Sequence, residues 1–328
     1  MRKKIVTIGG GSGSFNLLKG LKKYVLRDDG DESIDITFIA ASTDSGGSSG
    51  ELRDEFGILP PGDMRQGLIA LSNSGEEWKK IFGYRFKNEK SRLNGHNIGN
   101  IIITGLTEDY GEKEAWNRLH KMLDVQGRVI PSTWEKTHIT AEYEDGTVLD
   151  KEHMIDKADN SPLSKIKKLY SNSKIRANPE ALEAIAKADA IIIGPGDLYT
   201  SIICNFVVGG IADAIKKSKA MKVYNCNIMT KPSETPKYSV ATHFSDIEKY
   251  LGKDIISTIT YNNNYDFDSK LLQGYRKENK EIVKFNAGEF ASKNVKLMGA
   301  DLASDKDIIR HDSEKLSSII MRVIFPIV

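Results

Sequence analysis

Apolar runs that end in glycines open the chain. Residues 4–8 form a short, mostly apolar run that continues directly into three glycines, and apolar side chains then recur at helical spacing from Phe15 to Val25. A second apolar run over residues 34–41 leads into a loop of serines and glycines. The order of strand, glycine loop and amphipathic helix predicts the opening unit of a doubly wound α/β sheet.

Two later segments repeat this arrangement. Residues 190–193 are all apolar, as expected for a parallel strand covered on both faces, and a Gly-Pro-Gly loop and a helical pattern near Ile202 follow them. Residues 221–226 indicate another buried strand, which ends at Asn227. Four strands therefore deliver polar loops from their carboxyl ends, where open α/β sheets bind ligands. We expect a Rossmann-like, mostly parallel sheet with helices on both faces.

The middle and the end of the chain carry different patterns. Residues 137–143 alternate between polar and apolar side chains, and a Glu-Asp-Gly turn separates them from a second extended run over 147–150. This predicts a β-hairpin in a small inserted subdomain, roughly residues 105–180, of a single α/β domain that spans all 328 residues. The lysine-rich residues 165–174 indicate a solvated connection, and the apolar residues 319–328 indicate a last strand.

Composition narrows the class of protein. A chain of 328 residues with 39% hydrophobic content can bury a full core. Its 47 basic and 45 acidic residues nearly cancel, so no overall positive field exists to hold nucleic acid or an anionic membrane, and any anion site must be local. Cys204 and Cys226 each lack a second cysteine nearby, which argues against a zinc site or a disulfide and fits a reducing compartment.

The apolar segments argue against export and membrane insertion. The chain reaches its first glycines too early to hold an apolar stretch of signal-peptide length. The most apolar interior run, residues 202–212, contains Asn205 and two glycines and is far shorter than the ~20 residues of a membrane span. We therefore expect a cytoplasmic protein with no membrane span and no nucleic-acid partner.

The first glycine loop suits a phosphate. It consists of Gly9, Gly10, Gly11, Ser12 and Gly13. Its backbone N–H groups can approach an anion because no Cβ stands in the way, and the helix that follows adds a favourable dipole. The dinucleotide fingerprint is broken, because a serine follows where a glycine is required, and the lysine of a P-loop is missing too. No redox cofactor is expected, and a tight turn without a ligand is the alternative.

A second loop combines hydroxyls, glycines and a carboxylate. It consists of Asp44, Ser45, Gly46, Gly47, Ser48 and Ser49. Arg53 follows on the same segment and Arg65 follows a Pro-Pro-Gly-Asp turn, so two guanidinium groups are available to a diphosphate. Asp44 suits a Mg²⁺ ion on phosphate oxygens or a ribose hydroxyl, and the capping of a turn is the alternative.

Two further loops add amides and hydroxyls. The first contains Gly95, His96, Asn97 and Asn100, and the second contains Gly194, Pro195, Gly196, Asp197, Tyr199, Thr200 and Ser201, with Asn227 at the end of the next strand. Such amides suit a base or sugar edge better than acid–base catalysis, and for His96 a bond to backbone carbonyls is the alternative. No nucleophile stands beside an evident base, so no catalytic residue is predicted.

Taken in order, five segments resemble one known family. These are residues 8–13, 44–55, 59–65, 95–100 and 194–201. They resemble the CofD-like family, in its gluconeogenesis-factor (YvcK) branch. The resemblance implies a Rossmann-like fold with an inserted subdomain. It also implies one nucleotide site, formed jointly by the first glycine loop and the loops at Asp44, Gly95 and Gly194.

Two functions follow from the resemblance. The namesake enzyme, 2-phospho-L-lactate transferase, moves phospholactate from a guanosine diphosphate donor to a deazaflavin with the help of Mg²⁺. The gluconeogenesis-factor branch binds UDP-sugars and is tied to bacterial cell-wall and carbon-source control, and residues 45–50 and 59–65 resemble this branch more closely. The expected partner is a nucleoside diphosphate compound, above all a UDP-sugar, and a homo-oligomer is compatible with it. A Mg²⁺-dependent transferase is the second hypothesis, and a nicotinamide dehydrogenase is the third.

The resemblance is incomplete at two places. Many relatives of this branch carry a second acidic residue at the position of Ser45, so a metal site at Asp44 has one candidate ligand fewer. Lys231 and Ser233 stand where glutamine and glycine are common in those relatives. The phosphate-binding frame is therefore expected, while the sugar and the base stay open.

Overall fold

The computed structural model describes residues 2–25, 33–158, 164–304 and 308–326. Its centre is a sheet of seven parallel strands in the order β10-β9-β8-β7-β1-β2-β3. The strands are β1 (Lys3–Gly9), β2 (Ile34–Ala40), β3 (Arg128–Pro131), β4 (Ile139–Tyr143), β5 (Val148–Asp150), β6 (Ile166–Ser171), β7 (Ala190–Ile193), β8 (Met221–Asn225), β9 (Thr258–Asn262), β10 (Lys296–Ala300), β11 (Ala303–Ser304) and β12 (Arg310–His311).

The four strands expected from the apolar runs are confirmed as β1, β2, β7 and β8. In the sheet, β1 pairs with β2 on one side and with β7 on the other. Strands β2 and β3 extend the sheet to one side of β1, and the later strands β7 to β10 extend it to the other side. This reversal is the topological switch point of a doubly wound sheet, where a crevice opens at the carboxyl ends of the strands.

Helices follow most strands and cover the sheet. They are α1 (Gly11–Val25), α2 (Gly47–Phe56), α3 (Gly62–Leu71), α4 (Glu76–Gly83), α5 (Ile98–Tyr110), α6 (Glu112–Met122), α7 (Glu152–Lys157), α8 (Pro179–Lys187), α9 (Cys204–Phe206), α10 (Ile211–Lys217), α11 (Val240–Leu251), α12 (Ser269–Lys277) and α13 (Ser313–Ile324). A π-helical turn (Leu198–Ile203) precedes α9, and a short 3₁₀ helix (Ala287–Phe290) precedes β10.

The sheet separates two hydrophobic cores, which confirms helices on both faces. Ile191 and Ile193 of β7 pack into one core, where Phe244 of α11 also lies. Ile192, between them, packs into the other core together with Leu18 of α1. This alternation is the expected behaviour of a strand that is buried on both faces. Throughout the described ranges, no helix combines the length and apolar content that a membrane crossing requires.

A three-stranded antiparallel sheet lies between β3 and β7 in the chain. Strands β4 and β5 pair antiparallel, which confirms the hairpin, and β6 pairs with the other edge of β4. The expected solvated connection over 165–174 is therefore wrong. Ile166 and Leu169 are buried in β6 while the two lysines between them face solvent, so the lysines mask the strand pattern. The bounds of the inserted subdomain, roughly 105–180, stay a prediction.

Helix α13 covers Ser313–Ile324, so the expected strand over 319–328 is wrong for residues 319–324. The Asp312 side chain caps α13 by accepting the backbone N–H groups of Glu314 and Lys315. Leu316 and Ile320, one turn apart, are fully buried. The strand prediction considered only the apolar run. The capping residue, which indicates a helix, lies upstream of that run. Residues 327–328 of the predicted strand lie outside the described residues.

Candidate functional site

The candidate site lies at the switch point, where the loops after β1 and β7 leave the sheet side by side. The N–H of Gly194 donates to the Ile8 carbonyl at 2.9 Å, and the Ser14 hydroxyl donates to the Pro195 carbonyl at 3.4 Å. A Cβ on Gly13 would stand 2.6 Å from that Pro195 oxygen, closer than real Cβ contacts. The two glycine loops therefore touch through their backbones, and glycine is required at this approach.

A carboxyl group from the start of α3 meets the first glycine loop. Gly11 has a left-handed backbone with φ of 63°, and its N–H donates to Asp63 Oδ1 at 2.8 Å. A Cβ on Gly10 would lie only 2.3 Å from Asp63 Oδ2. Burial raises the pKa of Asp63 to about 7, and the charge of Asp44 adds to the effect. An amide expected to face phosphate thus faces a carboxyl group that is half protonated near neutral pH.

Asp44 faces a second carboxyl group, that of Glu152 in α7. Asp44 Oδ1 accepts the N–H of Gly46 at 2.8 Å, so it caps the turn that leads into α2. The same side chain hydrogen-bonds to Glu152 and Ser49. Burial raises the pKa of Asp44, and burial together with the Asp44 charge raises the pKa of Glu152 to about 8. Each of the two carboxyl groups is therefore easier to protonate than a carboxyl group in water.

Ser45 holds α7 against this loop. Its hydroxyl lies 3.0 Å from His153 Nδ1 and accepts the His153 N–H at 3.1 Å, while its own N–H donates to Glu152 Oε2 at 3.4 Å. Ser45 occupies the position where many relatives carry a second acidic residue. In this chain, Ser45 instead holds Glu152 close to Asp44. Sequence reasoning missed Glu152 because it lies on another element, and the predicted site set also omits Asp63.

Asp44 and Glu152 are the pair that a Mg²⁺ ion would use. Carboxylate oxygens are its preferred protein ligands, and Mg²⁺ is commonly held by one or two carboxylates together with substrate phosphates. Across the residues that the structure describes, no group of three or more His, Cys, Asp or Glu side chains could hold a metal ion by itself. The donor chemistry fits a shared protein and phosphate site rather than a cage built from protein ligands alone.

Lys231 is enclosed by carboxylates, one of which, Asp156, lies on α7 together with Glu152. Its Nζ lies 2.8 Å from Asp197 Oδ2 and 3.1 Å from Glu234 Oε1, and it also pairs with Asp156. Only 14% of the Lys231 side chain is exposed, and the Glu234 side chain is fully buried. Burial alone would lower the pKa of Lys231, but the charges of Glu234, Asp197 and Asp156 outweigh it and raise that pKa. Lys231 is therefore a fixed cation.

The loop after β7 is anchored through Glu234, which the predicted set also omits. The Tyr199 N–H donates to Glu234 Oε2 at 2.8 Å, and the Thr200 hydroxyl donates to Oε1 at 2.6 Å. The Tyr199 hydroxyl points elsewhere and donates to Asp246 at 2.6 Å. The side chains of Tyr199 and Thr200 therefore hold the loop in place, rather than projecting freely into the crevice.

Backbone groups of the same loop face the neighbouring segments. The Gly196 N–H donates to Asn227 Oδ1 at 3.2 Å, which brings the end of β8 to the loop as predicted. The Ser201 hydroxyl lies 3.5 Å from the position of a Cβ on Gly11. Ser201 therefore stands beside the first glycine loop, and Asn227 stands beside the loop after β7.

Both predicted diphosphate-binding arginines make bonds inside the protein. Arg53 is 5% exposed, and it donates to the carbonyls of Thr137 at 2.7 Å and Asp44 at 3.3 Å. Arg65 is 8% exposed, and it donates to Asn100 Oδ1 at 2.7 Å and to the Phe82 carbonyl at 3.0 Å. Burial lowers the pKa of Arg65 to about 10. These contacts position both guanidinium groups as braces of the loops.

The amides of the third loop are joined to the second loop. Ser48 Oγ accepts the Asn97 N–H at 3.2 Å and the Asn100 Nδ2 at 3.1 Å, and it lies 3.3 Å from His96 Nδ1. Asn97 also caps α5. These contacts hold the amino-terminal ends of α2 and α5 together, and the Gly95 loop with them.

Known proteins resemble this chain both in sequence and in fold. Residues 5–303 match the family described as 2-phospho-L-lactate transferase CofD. The chain belongs to the CofD family. A Thermotoga maritima relative is 39% identical over 98% of this chain and 99% of its own length. The gluconeogenesis factor of Bacillus subtilis is 36% identical over 98% of both chains. The crystal structure of a Bacillus halodurans member of the UPF0052 family superimposes with a TM-score of 0.89 at 35% identity, over 98% of this chain and 99% of that one.

Proposed function

We propose that this CofD-family chain binds a nucleoside diphosphate compound, specifically a UDP-sugar, in the crevice at the switch point. The observation that carries the proposal is the direct contact between the glycine loops after β1 and β7, through Ser14 and Pro195. Two glycine-rich turns at adjacent strand ends bring backbone N–H groups and the start of α1 to one place. That combination suits a diphosphate.

Protonation of nearby carboxyl groups reconciles the acidic surroundings with an anionic ligand. The pKa values of Asp63 and Glu152 are raised to about 7 and about 8, so both groups accept a proton near neutral pH at little cost. A neutral carboxyl group donates a hydrogen bond to a phosphate oxygen instead of repelling it. Lys231 offsets part of the negative charge of the three carboxyl groups that enclose it.

The physiological role that fits this binding is regulation. We propose that the chain acts in the cytoplasm and couples a cell-wall precursor to central carbon metabolism, in line with the name gluconeogenesis factor that its Bacillus subtilis relative carries. A homo-oligomer is part of the same proposal. These assignments rest on the relatives and on the ligand class, and the site itself requires only binding.

A group transferase is the second candidate, and the Asp44–Glu152 pair favours it. Two carboxyl groups beside a phosphate site are the ligands that an assisting Mg²⁺ needs, and the family description names a phospholactate transferase. In such an enzyme the metal would neutralise phosphate charge, while the loops position the donor. Ionisation of both carboxyl groups would be required, because only the ionised forms bind a cation strongly.

Calorimetric titration separates the two candidates. UDP-GlcNAc, GDP and NAD are each titrated into the full chain, once with Mg²⁺ and once with EDTA. The binding proposal predicts a preference for UDP-GlcNAc that EDTA leaves unchanged. A preference for GDP that requires Mg²⁺ would replace it with the transferase, and a preference for NAD would overturn both.

Asp44→Asn sharpens this comparison, because asparagine can still cap the turn at Gly46 but carries no charge. If Asp44 accepts a ribose hydroxyl, the weaker acceptor should reduce UDP-GlcNAc binding by the same factor, about three- to thirty-fold for one polar contact, in Mg²⁺ and in EDTA. A loss confined to the Mg²⁺ titration would instead identify Asp44 as a metal ligand.

A further inference from the structure

A second cavity lies away from the glycine loops. It has a volume of about 520 Å³ and lies between α12, the segment at 280–284 and the segment at 237–239. None of the residues that line it belongs to the loops at Gly9, Asp44, Gly95 or Gly194. Its volume falls within the roughly 300–1,000 Å³ typical of small-molecule sites.

Positive charge dominates the rim of this cavity. Lys237, Arg276, Lys280 and Lys284 line it, against the single carboxylate of Glu281. Lys280 pairs with Glu278 at 2.8 Å. The other three cations make no ion pair with any residue in the described part of the chain. These three exposed cations are therefore available to an anionic ligand.

The floor of the cavity is apolar and held in place. Met229, Leu272 and Ile282 supply aliphatic surface, and the Tyr275 ring forms one wall. The Tyr275 hydroxyl accepts the N–H of Ile309 at 2.9 Å, which fixes the position of the ring. An apolar floor beneath a cationic rim suits a ligand that has an apolar or planar body and a charged end.

We propose that this cavity is a second ligand site, for a small organic polyanion that carries phosphate or carboxylate groups. The anionic end is held by Lys237, Arg276 and Lys284, and the body of the ligand lies on the aliphatic floor beside Tyr275. Arg276 supplies a planar fork that matches phosphate and carboxylate oxygens, and the two lysines supply point charges. The site does not depend on the nucleotide proposed at the switch point.

The test uses pyrophosphate and citrate as probes, one for each source of negative charge. Each is titrated by calorimetry into the full chain at low and at physiological ionic strength. The pocket variant combines Lys237→Gln, Arg276→Gln and Lys284→Gln. The matched control combines Lys217→Gln, Lys219→Gln and Lys253→Gln, three exposed lysines that line no part of the cavity, so both proteins lose the same formal charge.

At least one probe should bind the wild-type chain, and the pocket variant should bind it at least ten-fold more weakly, whereas the control should stay within two-fold. Pyrophosphate is compared in the Gly11→Asp background, because the glycine-loop site proposed above also suits a diphosphate. Citrate binding should survive Gly11→Asp in the otherwise wild-type chain. Preference for pyrophosphate over citrate would identify phosphate as the natural group, and the reverse would identify carboxylate. Failure of both probes to bind, equal losses in the two triple variants, or a loss of citrate binding caused by Gly11→Asp alone would overturn the proposal.

Discussion

At the scale of single residues, two carboxyl groups near the switch point keep their protons to a higher pH than carboxyl groups in water do. The pKa of Asp63 is raised to about 7 and that of Glu152 to about 8, in both cases first by burial and then by the charge of Asp44. The unfolded chain gives up these protons near pH 4. The folded state therefore binds more protons between about pH 4 and pH 8, and the free energy of unfolding falls as pH rises through that window.

Asp63→Asn should weaken this dependence on pH. Asparagine still accepts the Gly11 N–H through Oδ1 but cannot ionise. Between pH 5 and pH 8, the free energy of unfolding should fall by about 1–2 kcal/mol less than in wild type, because one pKa unit corresponds to about 1.4 kcal/mol and residual solvent reduces the full effect. Urea unfolding at several pH values measures it, with the exposed Asp54→Asn as control. Parallel curves for Asp63→Asn and wild type would contradict the raised pKa.

Lys231→Met tests the fixed cation. Methionine keeps the length of the side chain but leaves the buried Glu234 carboxylate without a charge partner, which typically costs about 3–5 kcal/mol. We expect a loss of about 3 kcal/mol in urea unfolding. Lys237→Gln, an exposed change on the same segment, should cost under about 0.5 kcal/mol. If Glu234→Gln fails to recover part of the loss in the double variant, the two residues are not coupled.

At the scale of elements, the sequence predicts the positions of the central strands better than it predicts the contacts of individual side chains. Apolar runs that lead into polar or glycine-rich loops locate β1, β2, β7 and β8, because a strand that is buried on both faces is apolar at nearly every position. They do not locate β6, where lysines stand between Ile166 and Leu169. Likewise, the sequence shows no hydrogen-bond partner near Arg53 or Arg65, because their partners, such as the Thr137 carbonyl, come from distant elements.

Arg65→Ala should therefore destabilise the protein before it affects binding. The substitution removes bonds to Asn100 Oδ1 and the Phe82 carbonyl and leaves both acceptors buried, so we expect a loss of about 2–4 kcal/mol in the free energy of unfolding. Arg65→Lys should recover less than half, because lysine cannot reproduce the planar fork. A fully stable Arg65→Ala that binds UDP-GlcNAc about ten-fold more weakly would instead return Arg65 to the diphosphate.

At the scale of the whole molecule, the candidate site exists because strands that are distant in sequence are neighbours in the sheet. Strands β1 and β7 are far apart in sequence, yet they pair at the centre of the sheet, so their glycine loops meet. The predicted Rossmann-like fold brings these loops to one edge, so the meeting of the two glycine loops was predictable from sequence. The Asp44–Glu152 pair and the Lys231 cluster were not predictable, because α7 and the segment after β8 reach the crevice through tertiary packing.

Calorimetric titration tests most directly whether the crevice between β1 and β7 holds a diphosphate. UDP-GlcNAc is titrated into wild type, Gly11→Asn and Gly11→Asp, each first checked for folding by circular dichroism. Both variants carry the same left-handed backbone strain at φ of 63°, and only the second adds a negative charge beside the loop amides. We expect wild type to bind, Gly11→Asn to bind somewhat more weakly, and Gly11→Asp to bind at least about ten-fold more weakly than Gly11→Asn, as a lost charge-assisted contact requires. Unchanged affinity in a folded Gly11→Asp, or equal losses in the two variants, would show that the crevice between β1 and β7 does not hold the diphosphate.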